Sequence, residues 1–185
     1  MTDARRAGRY DLVVDDLRSV RVNRAVITVE DLACVSSATL QLPPDFKEFL
    51  RLLNSNEVEY LLVGGFAVSF HGYPRATGDM DIWIAIDNDN AARLSRTLND
   101  FGFVSDEVVP ELFLEGGRVV RLGQPPFRIE LLTSISGVAF SDCFANRVVA
   151  LIDDVHVNVI SIGDLRQNKL ASGRAKDLSD LEELG

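Results

Sequence analysis

The stretch LLVGGFAVSFHGYPRATGDMDIWI, residues 61–84, decides how the rest of the chain is read. It opens as an apolar run of strand length, meets Gly64-Gly65, continues through the short apolar segment 66–70, turns, and enters a second strand that begins with Asp79 and Asp81. Side chains alternate along a strand, so Asp79, Asp81 and Trp83 share one face while Met80, Ile82, Ile84 and Ile86 share the other. The second set is an unbroken core face, and it anchors the strand that displays the two carboxylates roughly 6–7 Å apart. At an effective dielectric of about 20 their repulsion is on the order of 2–3 kcal/mol. A divalent cation relieves such crowding, and hard carboxylate oxygens suit Mg2+ or Mn2+.

Three further features bear on that pair. Gly64-Gly65 stands between a strand and a helical segment, where backbone amides attract phosphate and glycine lets it approach closely; a tight, closely packed connection is the plainer alternative. Glu130, in the strand-like FRIELL of residues 127–132, lies between apolar neighbours, where an unpaired charge is costly. It is read as a third metal-binding carboxylate, with an ion pair to Arg128 on the same face as the alternative. Arg75 and Thr77 occupy the turn leading into Asp79, where a guanidinium either meets phosphate oxygens or pairs with a nearby acid. His71, before Gly72, reads as a capping or core histidine, and Trp83 either covers the sheet or stacks on a base.

The whole chain sets limits. Its 185 residues, 46% of them hydrophobic, suffice for one globular domain with an appended arm. A net charge of −9 argues against non-specific DNA binding, which needs clustered Lys and Arg to displace counterions. Residues 1–40 hold six Arg and six acidic residues, so the whole negative balance falls in residues 41–185. Cys34 and Cys143 have no metal-ligand spacing and suit a reducing cytoplasm as small buried hydrophobes. The amino terminus lacks the long apolar core of a secretion signal. The longest mainly apolar run, residues 60–70, is far short of the ~20 residues of a membrane helix. A soluble cytoplasmic protein without a membrane partner is expected.

Along the chain, residues 1–41 read as an arm in which Val20 to Val29 has strand composition, and Thr28 with Asp31 can cap a helical turn. Residues 42–185 read as the domain. Pro43-Pro44 marks the boundary, and Asp45 with Glu48 resembles a capping box opening a helix over 45–55 whose Phe46, Phe49, Leu50 and Leu53 form one apolar stripe. A strand over 58–63 and a helix over 91–101 flank the central motif. Glu111–Glu115 and Arg118–Leu122 suggest a hairpin across Gly116-Gly117, followed by a strand over 127–132. A second hairpin joins 147–152 to 155–160 across Asp153-Asp154, and 162–184 is helical with a break near Ser172-Gly173. Intermingled helices and strands with late hairpins indicate an α/β or α+β domain built on a mixed sheet.

The pattern Gly-Gly, thirteen residues, Asp-hydrophobic-Asp and a later acidic strand residue resembles the nucleotidyltransferase fold shared by DNA polymerase β, minimal nucleotidyltransferases and aminoglycoside nucleotidyltransferases. More narrowly, VGGFAVSFHGYPRATGDMDIWI with the later NKLASGRAKDLSDL is similar to prokaryotic nucleotidyltransferase-like proteins related to the abortive-infection toxin group. The resemblance implies a mixed sheet flanked by helices, with C-terminal helices, and transfer of NMP from an NTP to a hydroxyl on an RNA such as tRNA, a protein or a small molecule. It implies Gly64 and Gly65 at the triphosphate, Asp79, Asp81 and Glu130 on the metal, and Lys169 and Lys176 facing the triphosphate, a solvated helix face being the alternative for both lysines. It also implies a toxin role with a cognate antitoxin. A catalytically silent nucleotide-binding or interaction module on the same fold is the competing function.

Overall fold

The strand carrying Asp79 and Asp81 is the central one of a seven-stranded mixed sheet. In this computed structural model, which describes residues 40–74, 76–103, 106, 108–124 and 127–185 together with the backbone of 13–16, the chain runs through β1 (Val13–Asp16), α1 (Pro44–Ser55), β2 (Tyr60–Leu62), α2 (Gly64–Phe70), β3 (Asp79–Ile84) and α3 (Asn88–Asp100). A 3-10 turn (Pro110–Phe113) precedes β4 (Arg118–Leu122), β5 (Arg128–Leu132), α4 (Phe140–Ala145), β6 (Val148–Ile152), β7 (Val155–Val159), α5 (Ile162–Ser172) and α6 (Ala175–Glu183). The strand order is β1-β4-β5-β3-β2-β7-β6. β3 pairs parallel with β5 and antiparallel with β2, and β2 pairs parallel with β7. This is the mixed α/β architecture expected from the sequence.

The alternation read along β3 decides which face is core. Met80, Ile82 and Ile84 are fully buried, and the register places Ile129 and Leu131 of β5 and Tyr60 and Leu62 of β2 beside them. Ile86 departs from that set: β3 ends at Ile84, and Ile86 is exposed. α1 covers this face, because the Tyr60 hydroxyl donates to Asn54 Oδ1 at 3.1 Å and Phe49 meets Phe101 edge-on. Phe46, Phe49, Leu50 and Leu53 are buried as their spacing requires, each contributing about 1.5–3 kcal/mol.

The start of α1 corrects one expectation. Pro43 is the N-cap and no side chain caps it, so Asp45 and Glu48 form no capping box. Pro44 in the first turn supplies a φ already suited to a helix, and Asp45 complements the helix dipole there. α3 is capped by Asp87, which accepts from the Asn90 amide at 2.8 Å. The buried Asn90 side chain in turn accepts from the Glu59 amide and donates to the Glu59 and Ala85 carbonyls, closing the end of the β2–β3 pair.

The hairpin expected across Gly116-Gly117 does not form. Pro110 opens a 3-10 turn that drives Phe113 into the core, and β4 pairs instead with β5 and β1. The later hairpin does form. Asp153 (φ 48°) and Asp154 (φ 64°) both take the left-handed conformation that a two-residue connection of this hand requires. The Asp153 carboxylate accepts from the Leu42 amide at 3.2 Å and pairs with Lys47 at 3.0 Å, tying the entry of α1 to the turn.

Val13–Asp16 of the expected arm adds an edge strand to β4, whereas Val20 to Val29 and the Thr28–Asp31 turn lie outside the described residues. The break between α5 and α6 falls at Gly173, φ 63°. α4 is an element that the sequence reading did not assign. Among the described residues no helix is long and apolar enough to cross a membrane.

Candidate active site

Cross-strand register builds the face opposite the core. Asp79 lies beside Arg128, Asp81 beside Glu130, and Glu130 beside Arg121, so acidic and basic side chains interleave over β3, β5 and β4. Arg128 clamps Asp79 with two parallel hydrogen bonds, Nε to Oδ1 at 3.0 Å and Nη2 to Oδ2 at 2.9 Å, the strongest geometry available to this pair. Those bonds, ahead of all other influences, push the Arg128 guanidinium above its ordinary value. The same Nη2 lies 3.2 Å from Glu130 Oε1, which also accepts from Arg121 Nε at 3.0 Å. Glu130 therefore makes the ion pair with Arg128 that was the alternative reading, and it does so beside Asp81 in the register of β3 and β5.

Asp81 has a different environment. Gly64 has φ +62°, and a Cβ there would lie 1.9 Å from Asp81 Oδ2, so the hydrogen of Gly64 makes the space that the carboxylate fills. The Gly65 amide donates to the same carboxylate, and the Val63 amide donates to the Asp81 carbonyl at 3.0 Å. Burial first, and the nearby Glu130 second, push the Asp81 carboxyl up to about 7; the Gly65 hydrogen bond opposes them, Asp79 adds to them, and Arg174 opposes them. The plainer reading of the glycine pair, a tight connection with close packing, describes what its backbone does against Asp81.

The remaining candidates fall in separate places. The Thr77 hydroxyl donates to the Asp79 carbonyl at 3.2 Å and so shapes the entry of β3; Arg75 lies outside the described residues. Lys169 is buried at 3% exposure, with Nζ 2.9 Å from Asp177 Oδ1 and 2.6 Å from Asp180 Oδ2. In this arrangement its ammonium is committed to two carboxylates between α5 and α6 and is not solvated. Lys176 is exposed on α6. Trp83 is buried, meets Phe140 edge-on and covers the sheet. His71 closes α2, and its Nε2 donates to the Ile160 carbonyl at 2.8 Å; burial lowers its pKa.

Two groups escaped the sequence reading. Arg121 was not singled out, because only the β4–β5 register puts it over Glu130. Arg174, between α5 and α6, senses the charge of Asp81 across the site, whereas in the sequence it is one cation among several. The alternation Arg128-Ile129-Glu130 was the one available signal for the guanidinium clamp.

Hard carboxylate oxygens are the type of donor that a divalent cation such as Mg2+ or Mn2+ takes. Three carboxylates stand on neighbouring strands, and Asp81, half-buried and with its carboxyl pushed up to about 7, has no cation hydrogen-bonded to it among the described residues. Among the described residues no group of three or more His, Cys, Asp or Glu is gathered so as to hold a metal ion, and Arg128 and Arg121 supply positive charge at Asp79 and Glu130. A cation and Arg128 would compete for Asp79.

A Thermotoga maritima protein provisionally named a nucleotidyltransferase shares the fold at TM-score 0.50 and 16% identity, over 75% of this chain and 88% of its own. An antigenic nucleotidyltransferase-like protein from Paracoccidioides brasiliensis has TM-score 0.47 and 20% identity, over 75% and 73% of the two chains. No curated protein matches the chain. Residues 45–185, which hold the glycine pair, all three carboxylates and the C-terminal helices, match the family described as nucleotidyltransferase of unknown function (DUF6036), and the chain belongs to that family.

Proposed function

We propose that this chain is a divalent-cation-dependent nucleotidyltransferase that moves NMP from an NTP to a hydroxyl on an RNA, a protein or a small molecule. The observation that supports this best is the gathering of Asp79, Asp81 and Glu130 on one sheet face beside the Gly64-Gly65 connection. Asp79, Asp81 and Glu130 would hold Mg2+ or Mn2+, which when bound would neutralise the triphosphate and acidify the acceptor hydroxyl.

In the proposed transfer the acceptor oxygen forms a bond to the α-phosphorus, the bond from that phosphorus to the oxygen bridging to the β-phosphate breaks, and pyrophosphate leaves with the electron pair. The hydroxyl proton passes to a carboxylate. Glu130 is held by two guanidinium groups and serves in orientation. Lys176, exposed at the start of α6, is available to phosphate oxygens, while Thr77 acts by fixing the entry of β3.

The clamp of Arg128 on Asp79 favours a second reading, a catalytically silent nucleotide-binding or interaction module. One experiment separates the two. Incubating cell extract and purified protein with Mg2+ and each labelled NTP, then resolving RNA, protein and small molecules, should give a labelled acceptor that Asp81→Ala abolishes. Labelling without metal, or equal labelling by the variant, overturns the mechanism; NTP binding without transfer supports the silent module. The narrower resemblance extends the proposal to a cytoplasmic toxin restrained by a cognate antitoxin, for which growth arrest that depends on Asp81 is the test.

A further inference from the structure

We infer that β6 is an interface for a second copy of this chain. The two copies pair antiparallel along their free edges, centred on Ala150, so that two sheets run on as one across a two-fold axis. This interface is independent of the nucleotidyl-transfer reading, and it lies at the end of the sheet away from β1.

Among the described strands β6 pairs only with β7. Parity along that hairpin shows which backbone groups are left over. Ile152 and Val155 flank the two-residue turn, and in a connection of this hand the flanking pair exchanges both of its hydrogen bonds. Ile152, Ala150 and Val148 therefore direct their N–H and C=O groups at β7, while Val149 and Leu151 direct theirs outward. The side chains of Val149 and Leu151 are exposed as well, at 59% and 65%. Register through β7, β2 and β3 puts them on the sheet face of Asp81, opposite the buried Ile152, Val155 and Val157. Free edges are ordinarily blunted by a charge, a proline or a bulge. β6, with the sequence VVALI, has neither charge nor proline, and its register is unbroken. The opposite edge strand, β1, ends in Asp15-Asp16.

The occupant is a second copy because this edge is complementary to itself. Antiparallel pairing about Ala150 sets Val149 opposite Leu151 of the second copy, and Leu151 opposite its Val149. Both pairs are hydrogen-bonded, since all of these residues direct their backbone groups outward. Their exposed apolar side chains then meet on one face, and Ala150 meets its counterpart on the other, where its size permits close approach. Charge matches at both ends. Arg147 precedes Ala150 by three residues and Asp153 follows it by three, so each Arg147 comes to the Asp153 turn of the other copy. The Arg147 side chain is already oriented, with Nε 3.2 Å from Asn158 Oδ1 and its guanidinium 3.9 Å from the centre of the Phe144 ring. Parallel pairing would instead set Arg147 beside Arg147 and Asp153 beside Asp153. The two-fold axis stands perpendicular to the sheet, so the faces carrying Asp79 and Asp81 lie on the same side in both copies.

Sedimentation velocity on the full chain over a concentration series should show a monomer–dimer equilibrium. Val149→Lys and Leu151→Glu should each weaken it by about tenfold or more, since each change occurs twice in a two-fold dimer. Both positions are exposed, so thermal melting should find both variants folded. Leu170→Lys, at a position 67% exposed on α5, controls for the loss of apolar surface and should leave the dimer intact. Mixing Val149→Lys chains with Leu151→Glu chains should recover a heterodimer, because the register then opposes an ammonium to a carboxylate and leaves Leu151 opposite Val149. A chain that stays monomeric throughout the series, a dimer that both variants leave intact, or no recovery on mixing overturns the inference. Hydrogen exchange should show the Val149 and Leu151 amides protected in the dimer and open in the monomer. Protection in the monomer also overturns it, because another segment of the same chain then covers the edge.

Discussion

Asp81 and Gly64 are one unit. The carboxylate occupies the volume that any side chain at position 64 would need, and Gly64 has φ +62° besides. Gly64→Ala must therefore strain the backbone and displace Asp81, and we expect a loss of roughly 2–4 kcal/mol in denaturant unfolding. The Asp81 carboxyl also makes stability depend on pH. Its folded value of about 7 lies above the ordinary 3.8, so between those values the folded chain keeps a proton that the unfolded chain has released. Stability should fall as pH rises through that window, by an amount on the order of a few kcal/mol, and then level off. Asp81→Asn carries no such charge, and in metal-free buffer it should raise the melting temperature more at pH 8 than at pH 5. An equal effect at both pH values would remove the buried-anion account. Of this residue's properties, the sequence carried its face and its acidic neighbour Asp79; its partner across the strands, Glu130, came from register.

At the scale of elements, the α5–α6 pair turns on a buried cation. Lys169 bridges Asp177 and Asp180, and removing it strands two carboxylates in a place with little water. Lys169→Met should cost about 3–5 kcal/mol in unfolding experiments, and adding Asp177→Asn and Asp180→Asn should restore part of it, since a buried pair replaced as a whole is often close to neutral. A stability unchanged by Lys169→Met would mean that the ammonium is not buried as described. The sequence left Lys169 between phosphate contact and solvated face, because helical spacing shows that residues 169, 177 and 180 are polar but not that two helices fold back to bring them together. The failed hairpin has a similar cause: both glycines were visible, but the pull of Phe113 into the core was not.

Over the whole molecule, the site should behave as an acidic centre that trades internal guanidinium groups for a cation. Mg2+ or Mn2+ that binds the folded chain alone should raise the melting temperature by mass action. The rise should be larger at pH 8 than at pH 6, because protons compete for Asp81 below about 7. Chelator should reverse it and Asp81→Asn should reduce it; a rise that Asp81→Asn leaves intact would place the cation elsewhere.

What the sequence alone determined was local and periodic: the strand, glycine pair, helix and acidic strand of residues 61–84, the β6–β7 hairpin at Asp153-Asp154, and the break at Gly173. Each follows from side-chain alternation or from a φ that few residues adopt, and these are properties of neighbours along the chain. Only the tertiary structure decided that Arg128 clamps Asp79, that Arg121 reaches Glu130, that Lys169 is buried and that the charge of Arg174 bears on Asp81. The physical reason is that charge pairing depends on strand order and helix docking, which place side chains between 8 and 49 residues apart within hydrogen-bonding distance and leave no period in the sequence. Asp79 and Asp81 could be read from their spacing as a metal pair; the three arginines that oppose or complete that role could be assigned only from the fold.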